Sequence, residues 1–208
     1  VEAKMAAERA EPFQVALASL RERLREGLIA PGQRLAAAEV AGELKLSATP
    51  VREALSRLVG EGLLEDRRGQ GFFVRVLSGT DIADLYRLSQ ACLIIAHDPQ
   101  RAVARHALAG PAVRLTDPIR SVQRLFADWV TEGGSRSLIA LYRNLDLQLS
   151  QVRRAEPNVL DGLAEEAGEL QGLPPDSSPS RRASLIQRFH VRRIAVADQL
   201  ARVLVEGT

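Results

Sequence analysis

Residues 47–76, SATPVREALSRLVGEGLLEDRRGQGFFVRV, constrain the fold more than any other stretch, because several independent local signals agree there on one small device. Ser47 and Thr49 are N-cap residue types, Pro50 is pre-set for a first helical turn, and Val51, Leu55 and Leu58 then repeat at helical spacing. The other face of that short helix carries Arg52, Ser56 and Arg57, and Glu61-Gly62 ends it. Arg67-Arg68-Gly69-Gln70-Gly71 then separates the apolar runs Leu63-Leu64 and Phe72-Phe73-Val74, which predicts a hairpin with a basic tip. A capped helix with a cationic face followed by a basic hairpin is the outline of a winged helix.

Upstream, Phe13, Leu17, Leu20, Leu24 and Leu28 fall on one helical stripe with Arg21, Glu22, Arg23, Arg25 and Glu26 opposite, an amphipathic helix of about four turns. Pro31-Gly32 stops it. Ala37 to Leu44 reads as a second short helix with Val40, Ala41 and Leu44 inward, and Lys45-Leu46 is the turn before Ser47. Two helices therefore lie close across a tight turn, as in a helix-turn-helix.

Downstream, Ser78-Gly79-Thr80-Asp81 reads as a short linker ending in an N-cap, and the remainder predicts helices at about 81–97, 99–109, 115–132, 135–154, 158–171 and 181–206. The expected class is mainly α: a 1–12 extension, a winged helix-turn-helix at 13–76 (three helices plus a hairpin wing), a 77–80 linker, and an all-α bundle at 81–208. Aromatic residues make up only 4% of a chain that is 46% hydrophobic, so the cores must be aliphatic. Cys92 is the single cysteine, which rules out an intrachain disulfide and a thiolate metal cluster. Without an apolar run long enough for a membrane span, and without a cleavable leader, the expectation is a soluble, cytoplasmic protein with no membrane partner. The net charge is +2, shared at about +1 between residues 1–76 and the rest, so any basic surface must be local.

Pro31-Gly32-Gln33-Arg34-Leu35, then Leu44, Ser47, Thr49-Pro50-Val51-Arg52-Glu53-Ala54-Leu55, Arg57-Leu58, Glu61-Gly62-Leu63 and Gly69-Gln70-Gly71-Phe72-Phe73-Val74 resemble, at set spacing, the GntR family of bacterial transcription regulators. The resemblance covers about residues 14–76 and implies a domain for double-stranded DNA, with Arg34, Ser47, Thr49, Arg52, Arg68, Gly69 and Gln70 as the candidate contacts. Physical chemistry agrees: a helix N-terminus suits a phosphate, an arginine one turn in can pair bidentately with guanine, and glycines at a wing tip let backbone approach a groove. Two positions depart from the family pattern. Ala48 and Ala38 stand where an arginine is usual, which removes two cationic contacts per subunit and should flatten the salt dependence. For Arg57 the alternative is a plain i,i+4 pair with Glu53.

The second half resembles, more loosely, the all-helical ligand-binding (FCD-like) domain of FadR-type members, through Leu77-Ser78, Asp81-Ile82, Leu85-Tyr86, Asp146-Leu147-Gln148-Leu149, Asn158-Val159-Leu160 and the segment from Ala197. Many such domains hold a divalent metal with one aspartate and three histidines. On that alignment Asp146 keeps the carboxylate, Ser150 and Ala197 replace two histidines, Ser89 replaces an anion-binding arginine, and Thr208 ends the sequence before the last ligand. His97, His106 and His190 have no partner at metal spacing, so the expectation is no cofactor, with Asp146 a relict metal position. An effector pocket is placed instead near Cys92, Leu93, Ile94, Trp129, Tyr142 and Asp146.

The function expected is a DNA-binding transcription regulator that reads a palindromic operator as a homodimer, with a helical sensor unit open to a small-molecule metabolite. The competing reading is a helical ligand-binding or protein-interaction module that has lost strong DNA binding. An enzyme is not expected: no nucleophile sits beside a histidine in a motif, Gly69-Gln70-Gly71 lacks the rest of a nucleotide loop, and Glu165-Glu166 reads as a solvated helix face.

Overall fold

The computed structural model describes residues 11–98, 117–174 and 177–206, and their contacts separate a first unit ending at Val76 from a second, Leu77–Glu206. The expected helix at 99–109, the first residues of the one expected at 115–132, and His106 lie outside the described residues.

In the first unit, α1 (Pro12–Arg25) opens on a proline, which costs nothing where an N–H has no intrahelical partner, and it buries Ala16, Leu17, Leu20 and Leu24. Leu28 is the exception to the expected stripe and is 70% exposed. The helix stops at Arg25, Gly27 turns left-handed at φ 66°, and the Leu28 N–H closes back on the Arg23 carbonyl at 2.9 Å. That turn puts Ile29 into the core in its place.

β1 (Arg34–Leu35) follows, then α2 (Ala37–Leu44), and α2 ends at Lys45, whose φ of 55° is a left-handed conformation costing a residue with a Cβ about 1–2 kcal/mol. The turn leads to α3 (Ala48–Gly60), which buries Val51, Ala54, Leu55 and Leu58 and packs on α1 and α2. β2 (Leu64–Arg67) and β3 (Gly71–Val74) form the expected hairpin, with Arg67 opposite Gly71 and Leu64 opposite Val74. β1 joins β3 antiparallel, Arg34 opposite Phe73, so the sheet has three strands where the sequence signalled only two.

The second unit is helical: α4 (Gly79–Ala96), α5 (Pro118–Gly133), α6 (Arg136–Ala155), a 3-10 turn Glu156–Asn158, α7 (Leu163–Gln171), α8 (Pro179–Ala195) and α9 (Ala197–Glu206). Its starts are written in the sequence. Ser78 and Asp81 form a reciprocal capping box on α4, while Asp117, Ser135 and Ser178 each cap the helix that follows. α4 is the hub and packs against α5, α6, α8 and α9. Two expected segments differ from the structure. The one at 181–206 divides at Val196, and the one at 158–171 begins only at Leu163, because Pro157 sits in the 3-10 turn and Gly162 turns left-handed at φ 64°. Among the described residues no helix is long and apolar enough to cross a membrane.

Two glycines set how closely helices approach. A Cβ at Gly133 would lie 2.0 Å from the Ala96 carbonyl oxygen, and one at Gly79 would lie 2.9 Å from the Cα of Asp198. Gly168, by contrast, sits in a helix facing open space. Gly133→Ala is therefore expected to destabilise the protein by about 3 kcal/mol through overpacking against backbone, and Gly168→Ala to stabilise it by about 0.5–1 kcal/mol. Urea unfolding of the two variants measures both.

Candidate nucleic-acid interface and the polar core of the helical unit

The solvent face of α3 is made by Thr49, Arg52, Glu53, Ser56 and Arg57, all exposed, because the i, i+3, i+4 and i+7 positions from Val51 are taken by the core. Ser47 occupies the N-cap position in an extended conformation, yet its hydroxyl caps no backbone N–H. The first turn of α3 thus presents backbone donors with no side-chain acceptor of its own, and Ser47 and Thr49 stand exposed around it.

The cations of this unit separate into two sets. Arg57 donates to Glu61 at 2.8 Å, not to Glu53, and Glu61 also receives the Arg21 guanidinium, so one carboxylate pins the end of α3 to α1. Arg67, which the sequence grouped with the hairpin tip, ends β2 beside that tip, but its guanidinium folds back along the wing, 4.3 Å from the Phe73 ring centroid and beside Glu65. Arg52 and Arg68 are exposed and enter no ion pair among the described residues. Arg68, Gly69 and Gln70 form the exposed tip between Arg67 and Gly71, with Gly69 at φ 75° and Gly71 at φ 100°. The exposed Arg34 runs its guanidinium along Gly71, Nε lying 3.7 Å from where a Cβ would stand, so it belongs to the wing's flank. A helix-turn-helix followed by a glycine-bounded wing matches, at residues 14–74, the model of the bacterial regulatory proteins of the gntR family. The first unit is a GntR-family domain.

Relatives of this GntR-family domain agree. Fifty-eight residues, 28% of this chain, are 50% identical to the Nta operon transcriptional regulator of Aminobacter aminovorans, over 28% of that protein. Another 34% identity over 73 residues, 35% of this chain and 43% of the relative, links it to an HTH-type transcriptional regulator in the TAR-I ttuE-ttuC' intergenic region of Agrobacterium vitis. The chain thus spans less than half the length of these relatives. The fold likeness extends further. A structural-genomics structure of a GntR-type regulator from Rhodococcus sp. RHA1 superposes with a TM-score of 0.73 at 16% identity, covering 89% of this chain and 96% of that one. E. coli McbR/YncC superposes with a TM-score of 0.66 at 17% identity, covering 91% and 98%.

In the helical unit, Cys92, Leu93, Trp129 and Tyr142 lie in the close-packed core, while Ile94 points outward at 38% exposure. Burial raises the Cys92 thiol above its ordinary range. The Tyr142 hydroxyl is buried beside Ser89 and Arg153, and burial raises its pKa. A cleft of about 10 Å³ opens elsewhere, lined by Ile119, Val122, Arg153, Glu156, Glu166 and Arg193, with room for about one water molecule.

The polar groups around it are a buried ionic cluster that the sequence reading had not brought together. Arg193, 2% exposed, donates to Glu156 at 2.9 and 3.0 Å and to Glu166 at 2.8 and 3.2 Å, and its guanidinium lies 3.3 Å over the Phe189 ring. Glu166 is therefore no solvated face residue. Tyr86 donates to Glu156 at 2.5 Å, and burial together with the Glu156 charge pushes the Tyr86 hydroxyl pKa well up. Burial works against the Arg193 charge, and Glu156 and Glu166 outweigh it, leaving the group more firmly protonated than an ordinary arginine. The signal available in the sequence was Arg153 and Glu156 falling on the inward face that Leu145, Leu149 and Val152 mark on α6.

The residues that would face a divalent metal do not fit one. Asp146 is taken by Arg153 at 2.5 Å, Ser150 donates its hydroxyl to the Leu147 carbonyl at 2.6 Å, and Ala197 offers no ligand atom. Both His190 nitrogens are committed: Nδ1–H donates to the Ile186 carbonyl at 2.7 Å, which leaves Nε2 to accept from the Ser89 hydroxyl at 3.0 Å. Among the described residues no three His, Cys, Asp or Glu side chains are grouped so as to hold a metal ion.

Burial outweighs the opposing bond to Ile186 and, with smaller help from the Arg193 and Arg153 charges, lowers the His190 pKa from 6.5 to about 3. The fold keeps this imidazole neutral while the unfolded chain protonates it, so its contribution is complete above pH 6.5 and is lost as the pH falls from there towards 3. At pH 5 the loss is about 2 kcal/mol relative to neutral pH. Comparing urea stabilities at pH 7.5 and 5, His190→Gln should show a drop about that much smaller than the parent's.

Proposed function

We propose that this protein is a DNA-binding transcription regulator of the FadR type, which binds a palindromic operator as a homodimer and works in the cytoplasm. The observation that carries this reading is the face of α3 and the wing, where Ser47, Thr49, Arg52, Arg68, Gly69, Gln70 and Arg34 are exposed while the neighbouring Arg57, Arg21 and Arg67 are tied to Glu61, Glu65 and Phe73. Phosphates would be met by the first turn of α3 and the wing tip, and Arg52, one turn along, would read a base edge. Ala48 and Ala38 lower the number of cationic contacts, so specificity leans on Arg52.

The helical unit takes the place of an FCD-like domain. Its α4 exposes Leu88, Ala91 and Ile95 along one face, with Ile94 beside them, and α6 exposes Leu141. An apolar stripe of this kind supports burial against a second copy, which also doubles the DNA contacts a small winged helix can make. A metabolite effector would act by preferring one arrangement of the two reading heads, and only through its differential affinity for that arrangement. The cleft beside Arg153 holds about one water, so such a ligand requires the bundle to open.

Binding of the purified protein to its own upstream region, followed by fluorescence anisotropy at several salt concentrations, tests the DNA reading. Affinity should fall as salt rises; Arg52→Ala should cost about 1–3 kcal/mol and relax specificity, whereas Arg57→Ala should change binding by less than about 0.5 kcal/mol. Salt-insensitive binding that ignores Arg52 would favour the helical ligand-binding or interaction module instead. The dimer is tested separately by sedimentation: Leu88→Glu/Ile95→Glu is expected to sediment as a folded monomer where the parent is a dimer.

A further inference from the structure

Asp146, Ser150 and Arg153 stand at i, i+4 and i+7 on one face of α6. Arg153 is 3% exposed, and its Nη1 reaches both the Asp146 carboxylate at 2.5 Å and the Asp146 carbonyl at 3.4 Å. A guanidinium cannot give up its proton in a protein, so this is a fixed positive charge. We propose that Arg153 is a built-in counter-cation for Asp146, doing through a side chain what the FadR-type resemblance would assign to a divalent metal, so that the packing around α6 neither needs a metal ion nor admits one.

Three observations converge on this. Asp146, the one acidic member of the expected ligand set that the sequence retains, has its charge answered within its own helix. The other two positions of that set within the sequence offer no ligand, since the Ser150 hydroxyl is bonded to Leu147 and position 197 is alanine, and the separate buried histidine, His190, is bonded on both ring nitrogens. A divalent ion approaching Asp146 would also meet the Arg153 charge at hydrogen-bond range of the same oxygen, where like-charge repulsion in a buried setting is strong. The neighbours that sense this charge are Tyr142, Tyr86 and His190, so it is set among α4, α6 and α8 and not at the rim. The inference does not depend on DNA binding and stands or falls apart from it.

The test uses the full chain purified without chelator. Metal analysis should show no stoichiometric transition metal, and the melting temperature should shift by less than about 1 °C on adding EDTA or a tenfold excess of Zn²⁺. Asp146→Asn/Arg153→Met should melt above Arg153→Met alone, because the single variant leaves a carboxylate uncompensated. Introducing Ser150→His should create measurable Zn²⁺ binding only when Arg153 is also replaced by methionine, at least tenfold tighter by calorimetry than with Arg153 retained. A stoichiometric metal in the parent, a double variant that melts below Arg153→Met, or equal Zn²⁺ affinity with and without Arg153 would each overturn the proposal.

Discussion

A guanidinium with 2% of its side chain exposed cannot shed its charge, so Arg193 dictates what surrounds it. Two carboxylates from separate elements close on it, Glu156 from the 3-10 turn and Glu166 from α7, and Tyr86 of α4 donates to the first of these. One side chain on α8 thereby fixes α4, the end of α6 and α7 in a single arrangement. The aromatic-poor composition makes this device valuable: aliphatic side chains fill volume well but discriminate weakly between alternative packings, whereas a buried charge tolerates very few.

The GntR-family unit uses its ion pairs differently. Glu61 anchors two arginines, Glu43 takes Arg23, and Glu65 with Phe73 holds Arg67, all in the service of the frame. Arg34 on the wing's flank, Lys45 in the turn, Arg52 on α3 and Arg68 at the wing tip are exposed and enter no ion pair among the described residues, and these are what a polyanion would meet. A net charge of +2 is thus no obstacle to binding nucleic acid, since the relevant quantity is which cations the fold has already neutralised.

Local signals made the first unit legible. Caps, a proline at a helix start, glycines at a wing and a 3.6-residue repeat each act over a few residues, and they placed α2, α3 and the hairpin close to where they lie. The misses were non-local. Leu28 obeys the α1 repeat but falls beyond a glycine that ends the helix, and β1 exists only because β3 is there to pair with it. In the second unit the start at Ser78 was readable, whereas the caps Asp117, Ser135 and Ser178 were not singled out from the sequence, and neither was the polar core. Glu166 resembles any solvated glutamate until Arg193, 27 residues later, is brought to it. The positions proposed for DNA contact were readable as exposed polar residues on known elements. A cavity cannot be read in the same way, since apolar residues such as Trp129 and Tyr142 carry the same pattern whether they line one or fill the core.

Gly79 stands three residues after Val76, where the second unit begins its first helix, and the absence of a side chain there lets Asp198 of α9 come within van der Waals range of the α4 backbone. The last described helix of the chain is therefore keyed sterically to the first turn after the junction. The packing of α9 on α4 is thus set at that turn by backbone proximity, at a place distinct from the Arg193 cluster.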